Sequence, residues 1–230
     1  MITERGRPVR AGLRGALGGQ VVLITVEFLN MDSAFIWILS IGGYFFVSSF
    51  FEWALHRYVM HRPVGWFVYP FRAHAQIHHQ IFKADHTYHL INAPDRETIP
   101  MAWWNGPVLV VMGSAPMALV ASIFGDWRIY AGGVISMGLY YSVYEYIHWC
   151  MHLPKERRLE QTWIFRRLNA HHLLHHRYMH KNFNVVFPFA DLVLGTLISR
   201  AKTRFAAPTT KAITEVQPLF DGVSEEALAD

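Results

Sequence analysis

Long apolar runs broken by short polar turns occupy the first two thirds of the chain. The first run, from about Ala16 to Leu29, follows Arg5, Arg7, Arg10 and Arg14 and contains Glu27. A basic lead before an apolar run is the form of a secretory signal, but no small-residue cleavage site follows. Hydrophobicity resumes directly after the turn-prone Asn30-Met31-Asp32-Ser33, so the run is expected to be a retained first span. A second span is expected over 34–55, apolar and aromatic until Glu52. At ~1.5 Å per residue it covers roughly 33 Å, enough for a bilayer. A third is expected over 106–124 and a fourth over 127–148, with Gly125-Asp126 as a tight turn between them. Residues 56–100 are polar and histidine-rich, and Pro63, Pro70 and Pro94 divide them into short helices or turns. Residues 153–204 are basic and histidine-rich. The pattern predicts an all-α integral membrane protein: four transmembrane helices under a histidine-rich helical cap, one membrane-embedded domain over 1–204, and a polar tail over 205–230.

Composition sharpens the membrane reading. Hydrophobic residues make up 52% of the chain and charged ones only 17%, a balance that suits lipid better than water. The net charge of +4 does not point to nucleic acid, because Lys and Arg flank the apolar runs rather than forming a soluble basic face. Arg57, Arg62, Arg72, Lys83 and Arg96 lie in the 56–100 connection, whereas the 30–33 turn has no basic residue and the 125–128 turn has only Arg128. Four spans then put every Arg-rich segment on one face, assigned to the cytoplasm by the positive-inside rule. Every histidine falls on that face too. Cys150 is the single cysteine, which excludes an intramolecular disulfide, a Cys-rich zinc site and an iron–sulfur cluster.

The histidines carry the candidate chemistry. Five lie within residues 171–180, and crowding them with no ligand would force like charges together on protonation. Neutral imidazole is the commonest protein ligand of zinc, iron, copper and nickel. His56 and His61 follow the second span; on a regular helix, five residues separate their side chains by roughly 140°, so a kink or helix end near Pro63 is expected to bring them together. His74, His78 and His79 form H-x-x-x-H-H, with the first two stacked on one helical face and the third reaching round the side, a triplet able to serve two metals. His148 and His152 close the fourth span at four-residue spacing. His172, His175 and His176 form H-x-x-H-H. One such pair alone is a weak signal, because most are surface or packing residues. Four boxes on one membrane face are a strong one, and ten ligands exceed the four of a closed zinc site, so two metals are implied. His89, His86, His171 and His180 remain as possible additional ligands or as neighbours of the ligands. Glu52 and Glu145, four and three residues before His56 and His148, are spaced to accept ring N–H bonds or to fix water.

In the order and spacing of these boxes the chain resembles the fatty acid hydroxylase and sterol desaturase superfamily of integral-membrane di-iron enzymes. The resemblance covers about residues 50–198: Glu52 to His61, His74 to His79, His148 to His152, and the string His172 to Thr196. Asn182-Phe183-Asn184-Val185-Val186-Phe187-Pro188 and Asp191 to Gly195-Thr196 look like the segment after the family's last box, and Asn182 joins the two glutamates as a candidate beside the ligands. The second box departs from the H-x-x-H-H of the lipid 2-hydroxylase branch, and Ala190 stands where an aromatic often precedes the Asp. The doubled His171-His172 allows two registers of the fourth box; His172 gives H-x-x-H-H. The resemblance implies two metal ions, iron in function with zinc possible as isolated, and a reaction of a lipid C–H bond with O₂ and two electrons. No heme or flavin domain fits beside four spans, so the electrons are expected from a separate cytochrome, ferredoxin or reductase.

Several chemistries share this ligand set: hydroxylation of a fatty acyl or related lipid, desaturation of a sterol or acyl lipid, and carotenoid hydroxylation. Outside enzymology, the same residues could serve a metal transporter, a sensor or a scaffold holding structural zinc. Transporters place ionisable ligands near the bilayer midplane. These histidines lie outside the apolar runs, which favours the enzyme.

Overall fold

The computed structural model describes residues 33–199. The first expected span and the C-terminal tail lie outside the described residues. The chain divides into two units, 1–198 and 199–230, and the architecture below belongs to the first.

Helix α1 (Ser33–Leu55) has an inverted polarity for a water-soluble protein. Its buried stripe is Ile36, Ser40, Tyr44, Ser48 and Glu52, one residue per turn, while Phe35, Ile38, Leu39, Phe46 and Val47 face outward. Helix α2 (Asn105–Phe124) repeats this, burying Gly113 and Ser114 and exposing Val111, Met112, Leu119 and Ile123. Apolar outer faces of this extent suit hydrocarbon rather than water. Among the described residues, Ser33–Met60 and Asn105–Phe124 are long and apolar enough to cross a bilayer, and they make this a membrane-associated chain.

Helix α3 (Trp127–His152) is as long but less apolar, and packs against both α1 and α2. Glycines make those contacts close. A Cβ on Gly132 would stand 2.4 Å from the Ser40 Cβ, and one on Gly113 would stand 2.8 Å from the Met137 Sδ. Small residues let helix backbones approach in this way. The α2–α3 turn is made by Gly125 in the left-handed region (φ 67°) and by Asp126, whose side chain caps α3 by accepting from the Arg128 N–H at 2.9 Å.

Short elements fill the histidine-rich connections. A π-helical segment, His56–Met60, continues α1, and a second, Arg72–His78, lies between single α-turns at Tyr69–Phe71 and His79–Ile81. A 3₁₀ helix covers Ala93–Thr98. Helix α4 (Trp163–Arg177) is capped by Thr162, which accepts from Phe165 N–H, and α5 (Phe189–Val193) packs back on α1. All regular elements among the described residues are helical.

Candidate metal centre

Two groups of five histidines converge, each with its ring nitrogens within 4.8 Å of one another. The first is His56, His61, His74, His79 and His175; the second is His78, His148, His152, His172 and His176. All are buried except His61, which is half-buried.

Helix winding decides which ring goes where. The expected divergence of His56 and His61 is removed by a π turn rather than by a break at Pro63. The His61 N–H bonds the His56 carbonyl five residues back, at 3.1 Å, so the two rings stack at 5.1 Å. The second π segment does the same for His74 and His79, through the His79 N–H on the His74 carbonyl. Their Nε2 atoms come to 3.0 Å. His74 and His78 do stack, at 5.3 Å, as α-helical spacing suggests, but His78 directs its Nε2 to the other group, 3.2 Å from His148 Nε2. Regular α-turns build the second group: His148 with His152 on α3, and His172 with His176 on α4, whose Nε2 atoms lie 3.0 Å apart. Spacing of five thus serves the first group and spacing of four the second. The Arg72–His78 segment with its next residue, and helix α4, each supply both.

Five of the rings are oriented by backbone carbonyls. Nδ1 of His175 faces the Lys181 carbonyl at 2.8 Å and Nδ1 of His152 the Tyr88 carbonyl at 2.8 Å; His78 faces Thr98 at 3.3 Å. His56 bonds the Phe183 carbonyl and His176 the Phe82 carbonyl. A carbonyl only accepts, so each of these Nδ1 atoms carries the proton and each Nε2 presents a lone pair. Yet His175 Nε2 lies 3.2 Å from His79 Nε2, and His152 Nε2 lies 3.1 Å from His172 Nε2. The Nδ1 atoms of His79 and His172 are buried with no hydrogen-bond partner, so each of these rings either donates from Nε2 to the facing lone pair or shares a cation with it. Burial also pushes His175 down to about 4, His61 to about 3, and His74, His79, His78, His172 and His176 below the usual range, so protons are poor candidates for that cation. The donor set, ten neutral imidazoles with no thiolate, could hold metal ions.

The remaining candidates sit elsewhere. Glu52 touches no histidine ring; it accepts from Tyr140 Oη at 2.6 Å, Asn184 Nδ2 at 2.9 Å and the Val185 N–H at 2.6 Å. Glu145 accepts from Tyr141 Oη and the Met101 N–H. These carboxylates, expected beside the ligating rings, make their hydrogen bonds to other helices and loops, while backbone carbonyls meet the Nδ1 atoms of His56, His78, His152, His175 and His176. Asn182, in the left-handed region at φ 55°, bonds the His171 and Ile198 carbonyls and the Ile198 N–H. His171 bonds Asp191, His89 bonds the Met151 carbonyl, His86 lies exposed near Asp85, and His180 packs near Tyr178; none joins either group. Sequence reasoning missed Asp191 as a structural centre. It accepts from the N–H groups of Phe183 and Asn184 and from Thr196 Oγ1, and no spacing rule announces such a role.

Two cavities adjoin the histidines. One, of about 50 Å³, is lined by His74, His78 and His148 together with Ala73, Ile99 and Asn105. The other, about 30 Å³, is apolar and lies among α1, α2 and α3, lined by Phe51, Leu55, Leu109 and Met137. Met60, Met101 and Tyr144 line both.

Comparison with known proteins agrees with this geometry. The sequence model of the Fatty acid hydroxylase family matches residues 41–196. The chain is 27% identical over 170 residues to a dihydroceramide fatty acyl 2-hydroxylase of Arabidopsis thaliana, an alignment covering 73% of this chain and 60% of that protein. The chain thus spans less than two thirds of the length of this curated relative. No solved structure matches it. With the family match covering both histidine groups, the chain belongs to the fatty acid hydroxylase family.

Proposed function

We propose that the ten grouped histidines hold two metal ions, iron in the working protein, and that the chain hydroxylates a C–H bond of a fatty acyl or related lipid. The observation that carries this reading is the convergence of buried ring Nε2 atoms, neighbours lying 2.8–3.2 Å apart, in two groups of five whose nitrogens one metal ion each could gather. Zinc accepts the same ligands, but closed zinc sites stop at four. When bound, the two ions supply the redox chemistry that activates O₂. The balance is one C–H bond, O₂, two electrons and two protons giving C–OH and water.

The chain's own residues present the substrate. In this reading an alkyl tail arriving from lipid enters past the small apolar cavity among α1, α2 and α3, and Met60, Met101 and Tyr144 line both it and the histidine-lined cavity. Electrons come from a separate donor. A basin containing Arg57, Arg62, Gln76 and His180 opens beside His61, the least buried of the ten rings, and no carboxylate among the described residues lines it, so it suits an acidic donor surface. In this reading the chain crosses the bilayer four times with the metal centre on the cytoplasmic face, as the Arg-rich connections require.

Lipid extracts of cells with and without the expressed protein, compared by mass, test the reading. A family of lipids heavier by one oxygen is expected. Loss of two hydrogens would make the chain a desaturase, and no O₂-dependent product from a fully metallated protein would end the hydroxylase reading.

A further inference from the structure

The two histidine groups differ in what lies behind them. The carbonyls that orient rings of the first group, Lys181 and Phe183, lie in the short stretch after α4. Those that orient rings of the second group, Phe82, Tyr88 and Thr98, all lie in the connection before α2. Aromatic packing follows the same division. The Phe183 ring packs on His56, His61 and His175, all of the first group. The Phe82 ring packs on His78 and His152, and Tyr88 on His152, His172 and His176, all of the second.

The 181–184 stretch is held by two buried carboxylates that touch no grouped histidine. Asp191 Oδ1 accepts from the Phe183 N–H at 2.9 Å and Thr196 Oγ1 at 2.6 Å, and Oδ2 from the Asn184 N–H at 2.7 Å and His171 Nε2 at 3.1 Å. Asn184 in turn accepts from the Asp191 N–H and donates from Nδ2 to Glu52 and to the Ser49 carbonyl on α1. Glu52 also takes the Val185 N–H. A stretch with its amides fixed on both sides of Phe183 cannot shift its carbonyl away from His56 without breaking several buried hydrogen bonds.

We propose that Glu52, Asn184 and Asp191 form a positioning network for the first histidine group alone, so that the two metal sites are supported separately and one empties without the other. The proposal rests on the two-metal reading above. Partners behind metal-ligating histidines typically contribute 10- to 100-fold in metal affinity. In Asp191→Asn the amide can accept at one end only, so one of its two pairs of donors meets an N–H instead. The first site should weaken by that factor while the second keeps its own carbonyls.

The test is metal per chain in the full-length detergent-purified protein after dialysis against a graded chelator, with helical circular dichroism and monodispersity confirming the fold. The parent should hold two ions and Asp191→Asn one. Adding His61→Ala to Asp191→Asn removes a ligand from the same site and should leave one ion; adding His148→Ala should leave none. Glu52→Gln, a milder change in the same network, should give the Asp191→Asn result at higher chelator and decides the matter if Asp191→Asn does not fold. Two ions retained in the folded variants, both lost together, or a reversed outcome of the double variants overturns the proposal. A parent with fewer than two ions would instead refute the metal reading itself, and the proposal with it.

Discussion

Metal removal should lower the stability of this protein steeply, and the size of the effect can be worked from the site. Nine of the ten rings are buried and His61 is half-buried, and rings whose Nδ1 atoms bond carbonyls turn their Nε2 lone pairs onto a neighbouring ring at about 3 Å. A ligand that binds only the folded chain stabilises it by ~2.7 kcal/mol per site when free metal is 100 times the dissociation constant. Two sites give about 5 kcal/mol. For a chain of this length 1 kcal/mol moves the melting temperature by about 2–4 °C, so stripping both ions should lower it by about 10–20 °C. The assay is thermal unfolding in detergent by far-ultraviolet circular dichroism at one scan rate, before chelation, after it, and after anaerobic reloading with iron(II). Equal melting temperatures for loaded and stripped protein would refute the reasoning, because they would mean the rings converge for packing alone.

Other predictions follow from the same geometry. His175→Ala and His176→Ala alter adjacent residues that serve different groups; each should abolish turnover and lower metal content from two ions toward one, and retained turnover in either would contradict the assignment. Gly132→Leu should drive α1 and α3 apart, since even a Cβ would sit 2.4 Å from Ser40 Cβ; a loss of about 1–3 kcal/mol is expected, read as a lower melting temperature at equal metal content, and an unchanged melt would contradict the close packing. Burial holds His175 at about 4 and His61 at about 3, against about 6.5 in the unfolded chain, so below pH 6.5 the unfolded state binds more protons. Metal-stripped protein should therefore be most stable above pH 6.5 and lose stability as the pH falls toward 4; a melting temperature that holds or rises on acidification would contradict this.

Much of the site was legible in the sequence because histidine spacing maps simply onto helix faces. The four-residue pairs on α3 and α4 read directly as same-face neighbours, and the apolar runs at 34–55 and 106–124 gave helices to within a residue. The five-residue pairs were legible as meeting but not in how they meet. Converting spacing to angle assumes α-helical winding, and His56/His61 and His74/His79 converge only because the backbone there is π-wound. That same winding sends His78 and His79 to different groups. The carbonyls of Phe82, Tyr88, Thr98, Lys181 and Phe183 left no trace in the sequence, since every residue has such a group and only the fold aims it. Glu52 shows the reach of the fold: its spacing from His56 suggested a ring N–H bond or a fixed water, and the partners it finds, Asn184 and Val185, lie more than a hundred residues away.

The central claim, that two groups of five histidines each bind one metal ion, is tested most directly by counting metal in protein purified from iron-supplemented cells and scored against protein by amino-acid analysis. Two ions per chain are expected, falling to one in His79→Ala and to one in His78→Ala. A parent with one ion or none, or two ions retained in both variants, would contradict it.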